Sequence, residues 1–197
     1  EIKLIAPEQV ATRNALVSYL ARTWETVDAP SPWPEMFVGV ARDWTIVGVP
    51  ESSHEALLSE QGIVETDKGR FSLEGLVRFD RSGVTPTSPL YRLADGKHIQ
   101  HLEDGWMPIP SVDATAGPIK ATVTALATGD AKASTLLVRY RLWNPSDAPI
   151  SGIFFLAARP FQVNPPWQDL KATGGVAPTR TVTAIDNGLM MDSTRVL

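Results

Sequence analysis

The stretch IKATVTALATGDAKASTLLVRYRLWNPSDAPISGIFFLAARPFQ, residues 119–162, decides the fold class of this chain. Residues 119–128 and 134–144 alternate apolar and polar side chains with a period of two, which is typical of β-strands with one buried face. Residues 151–162 form a third strand pattern. Because this segment is apolar on both faces from Ile153 to Ala158, it is predicted to be a central strand that is covered on both sides. In residues 134–144 one face would carry Leu136, Val138, Tyr140 and Leu142, and the other Leu137, Arg139, Arg141 and Trp143.

Strand and turn patterns also fill most of the chain on either side of this stretch. They recur about every ten residues, as in all-β sandwiches. Residues 106–115 contain two prolines and are predicted to lie at a sheet edge. The other predicted strands and hairpins are 43–49, 55–80 with breaks at Gly62 and residues 67–69, a hairpin over 90–105 that turns at residues 94–96, and a last hairpin over 180–194 around Asn187–Gly188.

The N-terminal part differs, since residues 8–24 show the spacing of an amphipathic helix after a short strand at residues 1–6. Thr12 or Asn14 is predicted to cap the start of this helix. Residues 28–34, DAPSPWP, are predicted to stop it and to form an extended linker. The predicted apolar stripe of the helix is Val10, Leu16, Val17, Leu20 and Trp24.

These patterns predict a mainly all-β fold, a large antiparallel β-sandwich with one short N-terminal helix. The predicted division places the first strand, the helix and the proline-rich linker in residues 1–34, packing on a sandwich domain of residues 35–197. A hydrophobic content of 43% suffices for a sizeable core, and 16 prolines and 14 glycines spread along the chain suit many turns.

The composition excludes several functional classes. The net charge is −4 and no basic cluster stands out along the sequence, so no nucleic-acid partner is predicted. No apolar run reaches the roughly 18 residues of a membrane span. The chain has no cysteine, which excludes disulfides and thiolate chemistry, and it carries no phosphate-binding or zinc-hydrolase motif. No cofactor and no metal are therefore predicted.

Residues 159–167 are the best candidate for a ligand-binding or domain-interface site. Arg159 offers a planar fork for a carboxylate or a carbonyl, and Gln162 and Asn164 offer the donors and acceptors that suit sugar hydroxyls. Trp167 could stack on a sugar or be buried at a domain boundary. The alternative interpretation is a rigid corner, stiffened by prolines, in which these side chains satisfy loop carbonyls.

Two other places in the sequence are candidate sites. Trp106 could be a core, interface or binding residue. His98 and His101 are three residues apart on a strand and would point to opposite faces, which argues against a shared metal. His101 and Glu103 would lie on one face, as an acid–base pair of a sugar epimerase would need.

Three phrases together resemble a known family: residues 43–75, residues 102–112 (LEDGWMPIPSV) and residues 156–178 (LAARPFQVNPPWQDLKATGGVAP). They are similar to large bacterial proteins with a discoidin domain, of the coagulation-factor 5/8 type, that belong to the six-hairpin glycosidase class. The resemblance implies an N-terminal β-supersandwich, related to the galactose-mutarotase sandwich, between a discoidin-like module and an α/α-barrel. It also implies that the catalytic carboxylates lie in the barrel, so no catalytic residue is assigned to this chain.

The expected function is therefore that of a non-catalytic accessory β-sandwich in a larger glycoside hydrolase-like protein. It would pack against the helical barrel, and carbohydrate is the expected small partner. Two alternatives stay open: an independent carbohydrate-binding module that uses Trp167 or Trp106, and an aldose epimerase-like enzyme that uses His101 and Glu103. The expected location is extracytoplasmic, periplasmic or secreted, as is usual for glycan-degrading proteins with discoidin modules.

Overall fold

The computed structural model describes residues 7–24, 31–80, 89–168 and 173–196. The predicted strand at residues 1–6 and the first part of the predicted linker, residues 28–30, therefore lie outside the described residues. In this part of the chain one helix, α1 (Pro7–Trp24), precedes thirteen strands. The strands are β1 (Trp44–Val47), β2 (Ala56–Ser59), β3 (Val64–Glu65), β4 (Ser72–Phe79), β5 (Leu90–Arg92), β6 (His98–Glu103), β7 (Met107–Ala116), β8 (Ile119–Gly129), β9 (Ser134–Trp143), β10 (Gly152–Arg159), β11 (Val182–Ile185), β12 (Gly188–Met191) and β13 (Thr194–Val196).

The chain forms two compact units, each described by itself below. The sandwich unit consists of residues 42–68 and 72–159, and the helical unit of residues 1–41, 69–71 and 160–197. The predicted division after residue 34 stays a prediction.

The sandwich unit confirms the predicted antiparallel β-sandwich. One sheet has the order β1-β2-β3-β4-β10, with β5 also paired to β4, and the other has the order β6-β7-β8-β9. The two sheets pack closely at Gly75 of β4. A Cβ at this position would lie 3.2 Å from Tyr140 of β9 in the other sheet and 3.1 Å from Phe154 of the neighbouring strand β10. In the middle of β8, Val123 and Ala125 are fully buried in this core.

The β8–β9 hairpin follows its sequence pattern residue by residue. Its register runs from Lys120 opposite Trp143 to Gly129 opposite Ser134. Apolar side chains of alternate positions face the core, while Arg139 and Arg141 point to the opposite face and are exposed. The period-two alternation therefore predicted both the strands and their faces correctly.

The prediction that residues 151–162 form a central strand is wrong. Strand β10 pairs with β4 alone among the described residues and lies at the edge of its sheet. Ile153, Phe155 and Leu156 keep 42%, 40% and 39% of their surface exposed. Both faces of this edge strand carry large apolar side chains. The sequence pattern alone cannot distinguish such a strand from one that is buried on both faces.

The predicted edge position of residues 106–115 is also wrong, since β7 lies between β6 and β8. The physical reason is the place of the two prolines. Pairing of β7 with β8 begins only at Ser111, opposite Thr124. Pro108 and Pro110 precede this point, so their missing N–H groups cost no hydrogen bond to β8.

The predicted hairpin over residues 90–105 is replaced by a crossing between sheets. Strand β5 pairs with β4, whereas β6 pairs with β7 in the other sheet. A short 3-10 turn, Leu93–Asp95, lies between them and buries Leu93 and Ala94. Because this apolar pair needs a place in the core, the turn carries the chain across the sandwich instead of folding it back.

The helical unit contains α1, whose predicted extent is confirmed. A small core forms around Met36, Phe37 and Phe161, and Phe161 contacts Phe37 edge-to-face with ring centroids 5.5 Å apart. The predicted apolar stripe is partly wrong, because Leu16 is 57% exposed. Asn14 is buried instead. The predicted cap at Thr12 or Asn14 is wrong, since the helix already begins at Pro7.

Strands β11, β12 and β13 form a separate antiparallel sheet in the helical unit. The predicted hairpin around Asn187–Gly188 is confirmed. Its two turn residues are Asp186 and Asn187, with Ile185 opposite Gly188, and Asn187 has a positive φ of 61°. Asp192, which follows β12, accepts hydrogen bonds from the backbone N–H groups of the two residues that precede β11. Although partial burial would raise the pKa of Asp192, backbone N–H groups of Thr181 and Arg180, the Thr181 hydroxyl and the charge of Arg70 lower it below its usual value.

Candidate functional site

Arg159 lies at the end of β10, where it takes part in a buried ion cluster of the sandwich unit. Its Nη1 atom is 2.7 Å from Oε2 of Glu74, and Nε of Arg92 is 2.6 Å from the other oxygen of Glu74. The Glu74 side chain is only 3% exposed. The three groups come from the neighbouring strands β4, β5 and β10. In the strand register, Arg92 of β5 lies opposite Leu76 of β4, and Ala157 of β10 lies opposite Glu74. The guanidinium of Arg159 is thus engaged within the fold.

Tyr140 of β9 is the other notable polar group inside the sandwich unit. Its hydroxyl is buried and has no hydrogen-bond partner among the described residues. Burial, and in second place the negative charge of Glu74, raise the pKa of Tyr140 well above its usual value. The phenol therefore stays protonated, and its ring packs 5.4 Å from that of Phe154. Its role in this unit is packing.

Gln162 of the helical unit satisfies loop carbonyls, as the corner interpretation expects. Its Nε2 atom donates to the carbonyl oxygens of Thr173 and Val176 at 3.0 and 3.2 Å. Its backbone N–H donates to the carbonyl of Gly175 at 2.7 Å. Gln162 is only 5% exposed, so a ligand could reach its amide only after these bonds open.

Asn14 completes this corner, and sequence reasoning missed it as a functional group of the fold. Its Nδ2 atom donates to the carbonyl of Gly174 at 2.8 Å, and its Oδ1 accepts from the N–H of Val176 at 2.7 Å. The two glycines make this approach feasible. A Cβ on Gly174 would lie 2.4 Å from the carbonyl oxygen of Asn164, and Gly175 has φ +91°.

The other predicted residues of the corner differ in exposure. Asn164 is 6% exposed, and its carbonyl accepts from the N–H of Gly175 at 2.8 Å. Trp167 is 53% exposed and donates from Nε1 to the carbonyl of Met36 at 3.3 Å. One face of this indole is therefore open to a ligand or to another domain. That any of these residues contacts such a partner stays a prediction.

Trp106 lies far more open than the corner residues. It is 71% exposed at the tip of the β6–β7 hairpin, where its backbone N–H donates to the carbonyl of Glu103 at 3.2 Å. A groove of about 220 Å³ runs from this hairpin to β1 and β2 in the same unit. Its lining combines hydroxyl, amide and imidazole groups with apolar ones: Thr45, Leu58, Gln100, His101, Leu102, Pro110, Ser111 and Val112.

The two strand histidines point to opposite faces, as the spacing predicts. His98 lies 2.9 Å from the carbonyl of Leu93, whereas Nε2 of His101 is 3.5 Å from the Asp113 carboxylate on β7. His101 is thus paired with Asp113, which lies on the adjacent strand β7 and on the same face of the sheet, and not with Glu103. No group of three potential metal ligands occurs among the described residues.

A partly exposed apolar surface lies along the sides of β9 and β10 that carry no further strand in the described part of the chain. These strands approach each other through Tyr140 and Phe154, so both sheet edges lie on one side of the sandwich unit. Leu142 and Leu156, which point toward the core, remain 37% and 39% exposed there. We call this surface the open side; it consists of Leu142, Ile153, Phe155 and Leu156.

The fold defines this chain as a mainly β protein with an antiparallel sandwich and no barrel in its described part. No family model, curated protein or solved structure matches the chain. No helix of the described residues is long and apolar enough to cross a bilayer.

Proposed function

We propose that this chain is a non-catalytic accessory β-sandwich of a larger carbohydrate-active protein, in which the open side packs against a helical-barrel domain. The observation that carries the proposal is β10, a strand of eight residues with large apolar side chains exposed on both of its faces. Uncovered hydrophobic edge strands are prone to aggregate, and proteins usually cover them. A neighbouring domain of the same protein would provide this cover.

Two features support a partner of this kind. Leu142 and Leu156 leave the sandwich core partly open, so a helix laid along the edges would complete it. Arg78 stacks over the Phe155 ring at 5.8 Å and adds a cation beside the apolar surface. An apolar helix face flanked by carboxylates would match this chemistry. The three phrases that resemble discoidin-domain glycosidase-like proteins supply the carbohydrate-active setting, and with it the extracytoplasmic location.

Replacing Phe155 by serine tests whether the open side is an interface. The variant is expected to lose at most about 1 kcal/mol of unfolding free energy, as an exposed position does. It should also bind less of a dye that detects apolar surface, and self-associate less at high concentration. Denaturant unfolding, dye fluorescence and sedimentation measure these three quantities.

Phe154, the neighbour of Phe155 on the opposite face of β10, provides the matched control. Its ring packs against Tyr140, so Phe154→Ser should cost about 2–4 kcal/mol, as truncations of core aromatics do. Equal losses of stability in the two variants, or unchanged dye binding by Phe155→Ser, would show that Phe155 belongs to the core of the chain and would refute the proposed interface.

A carbohydrate-binding module is the second candidate. It is favoured by the exposed Trp106 at the tip of the β6–β7 hairpin and by the groove with hydroxyl, amide and imidazole groups that residues of the same hairpin line. Exposed indoles provide flat apolar surfaces of the kind on which sugar rings stack. The epimerase alternative has no comparable support, since His101 contacts Asp113 on an exposed sheet face.

A further inference from the structure

Strands β8 and β9 carry cations and no carboxylate. Their sequences, IKATVTALATG and STLLVRYRLW, contain Lys120, Arg139 and Arg141 but no aspartate or glutamate. The chain as a whole has a net charge of −4, so this pair of strands stands apart from the rest. Because Lys120 is distant from the arginines in sequence, the cluster cannot be seen before the strands are paired.

The register brings the three cations onto one face. Arg141 lies opposite Thr122, Arg139 opposite Thr124, and Lys120 opposite Trp143. Val123 between these positions is fully buried, so the cations occupy the outer face, away from the sandwich core. Strand geometry places Arg139 and Arg141 about 7 Å apart along β9, with Lys120 a diagonal neighbour of Arg141 at about 7–8 Å.

These cations are not neutralised within the described part of the chain. No carboxylate oxygen there lies within 4.0 Å of Lys120, Arg139 or Arg141; the ion pairs involve other side chains. Arg141 stacks over the ring of Trp143 at 5.8 Å, and Trp143 keeps 37% of its surface exposed. The surface thus offers two exposed guanidinium groups, an ammonium group and part of an indole.

Thr122 of β8 and Asp113 of the adjoining strand β7 add a hydroxyl and a carboxylate to this face. Thr122 donates to Asp113 at 2.7 Å, which leaves the second oxygen of Asp113 facing His101 at 3.5 Å. The Asp113 side chain is 43% exposed. A ligand on this face therefore meets cations over β8 and β9 and an acceptor on β7, which suits a chain that carries both negative charges and hydroxyl donors.

We propose that the outer face of β7, β8 and β9 binds an acidic polysaccharide. Ligand carboxylates would pair with Arg139, Arg141 and Lys120, and sugar hydroxyls would donate to Asp113. A nucleic acid fits less well, because Asp113 repels phosphates and a single indole provides no series of stacking platforms. This inference goes beyond the packing role of the open side, although its choice of a glycan rests on the proposed carbohydrate-active setting.

The test compares polygalacturonate with its methyl ester, which has the same backbone without the charges. Titration calorimetry on the intact chain should give at least tenfold tighter binding of polygalacturonate, weakened by salt. The double variant Arg139→Gln/Arg141→Gln should lose at least tenfold in affinity. Arg195→Gln removes an equivalent exposed charge from β13 of the helical unit and should leave the affinity unchanged. Thermal unfolding confirms that each variant is folded.

Several results would overturn the proposal: no binding of polygalacturonate, equal binding of the ester, or undiminished binding by the double variant. Tighter binding of an oligo-dT strand would assign the face to nucleic acid instead. Loss of binding in Trp106→Ala, with the double variant unaffected, would place the glycan at the β6–β7 hairpin. None of these results bears on the open side, which Phe155→Ser and its control Phe154→Ser test separately.

Discussion

Replacing Glu74 by alanine is expected to lower the unfolding free energy by about 3–5 kcal/mol, the usual cost of removing one member of a buried ion cluster. The variant leaves the guanidinium groups of Arg92 and Arg159 partly buried, with side-chain exposures of 12% and 18%, without their shared carboxylate. Urea unfolding followed by tryptophan fluorescence measures the change.

Two further variants separate lost charge pairing from lost packing. Glu103→Ala removes an exposed carboxylate from β6 and should change stability by less than about 0.5 kcal/mol. The triple variant Glu74→Leu/Arg92→Met/Arg159→Met replaces the cluster by apolar groups and should recover most of the loss. A loss below about 1 kcal/mol in Glu74→Ala would contradict the assignment of Arg159 to a structural ion cluster.

Asn14→Ala is expected to lower the stability of the chain by about 2–4 kcal/mol. The change leaves the Gly174 carbonyl and the Val176 N–H without the side chain that joins them, and each buried group left unsatisfied costs about 1–3 kcal/mol. The loss should exceed the small gain in helix propensity that alanine brings inside α1. Denaturant unfolding with circular dichroism provides the measurement.

The aspartate variant at the same position shows which hydrogen bond matters. Asn14→Asp keeps an acceptor for the Val176 N–H but turns the donor to the Gly174 carbonyl into a second acceptor. It should therefore be as damaging as alanine or worse at neutral pH. Arg13→Ala, at the exposed neighbouring position on α1, should be nearly neutral. Equal stability of Asn14→Ala and the unchanged chain would contradict the role of Asn14 in holding residues 174–176 to α1.

Local patterns predicted the parts of the fold that depend on neighbours in sequence. The alternation in residues 119–144 placed β8 and β9 and assigned their faces, because one hairpin supplies both strands and their register. Asn187 located the β11–β12 hairpin because few residues other than glycine accept the positive φ of this turn position. Helix α1 was found for the same reason, from a pattern confined to residues 8–24.

Patterns failed where a distant segment decides the outcome. The apolar run of β10 looks the same whether a strand is buried or at an edge, and only the sheet order separates the two. The turn before β6 was mistaken for a hairpin because local residues cannot say that Leu93 and Ala94 enter a core between two sheets. Such choices belong to tertiary packing.

The candidate sites show the same limit. The sequence identifies the residue types at Arg159 and Gln162 but not their partners, since Glu74 lies 85 positions away from Arg159. Asn14 bonds Val176 across 162 positions, and in a helix its sequence context suggested only a cap. The basic face of β8 and β9 appears only after pairing, so net charge alone could not reveal it.

Hydrogen exchange along β10 in the full-length product of the gene, compared with this chain alone, tests the central claim most directly. The amides of residues 152–159 that are not bonded to β4 should exchange rapidly in the isolated chain. In the full-length protein they should exchange at least tenfold more slowly, since a neighbouring domain would cover the open side. Equal exchange rates, or a gene that encodes no domain beyond this sandwich, would contradict the accessory role.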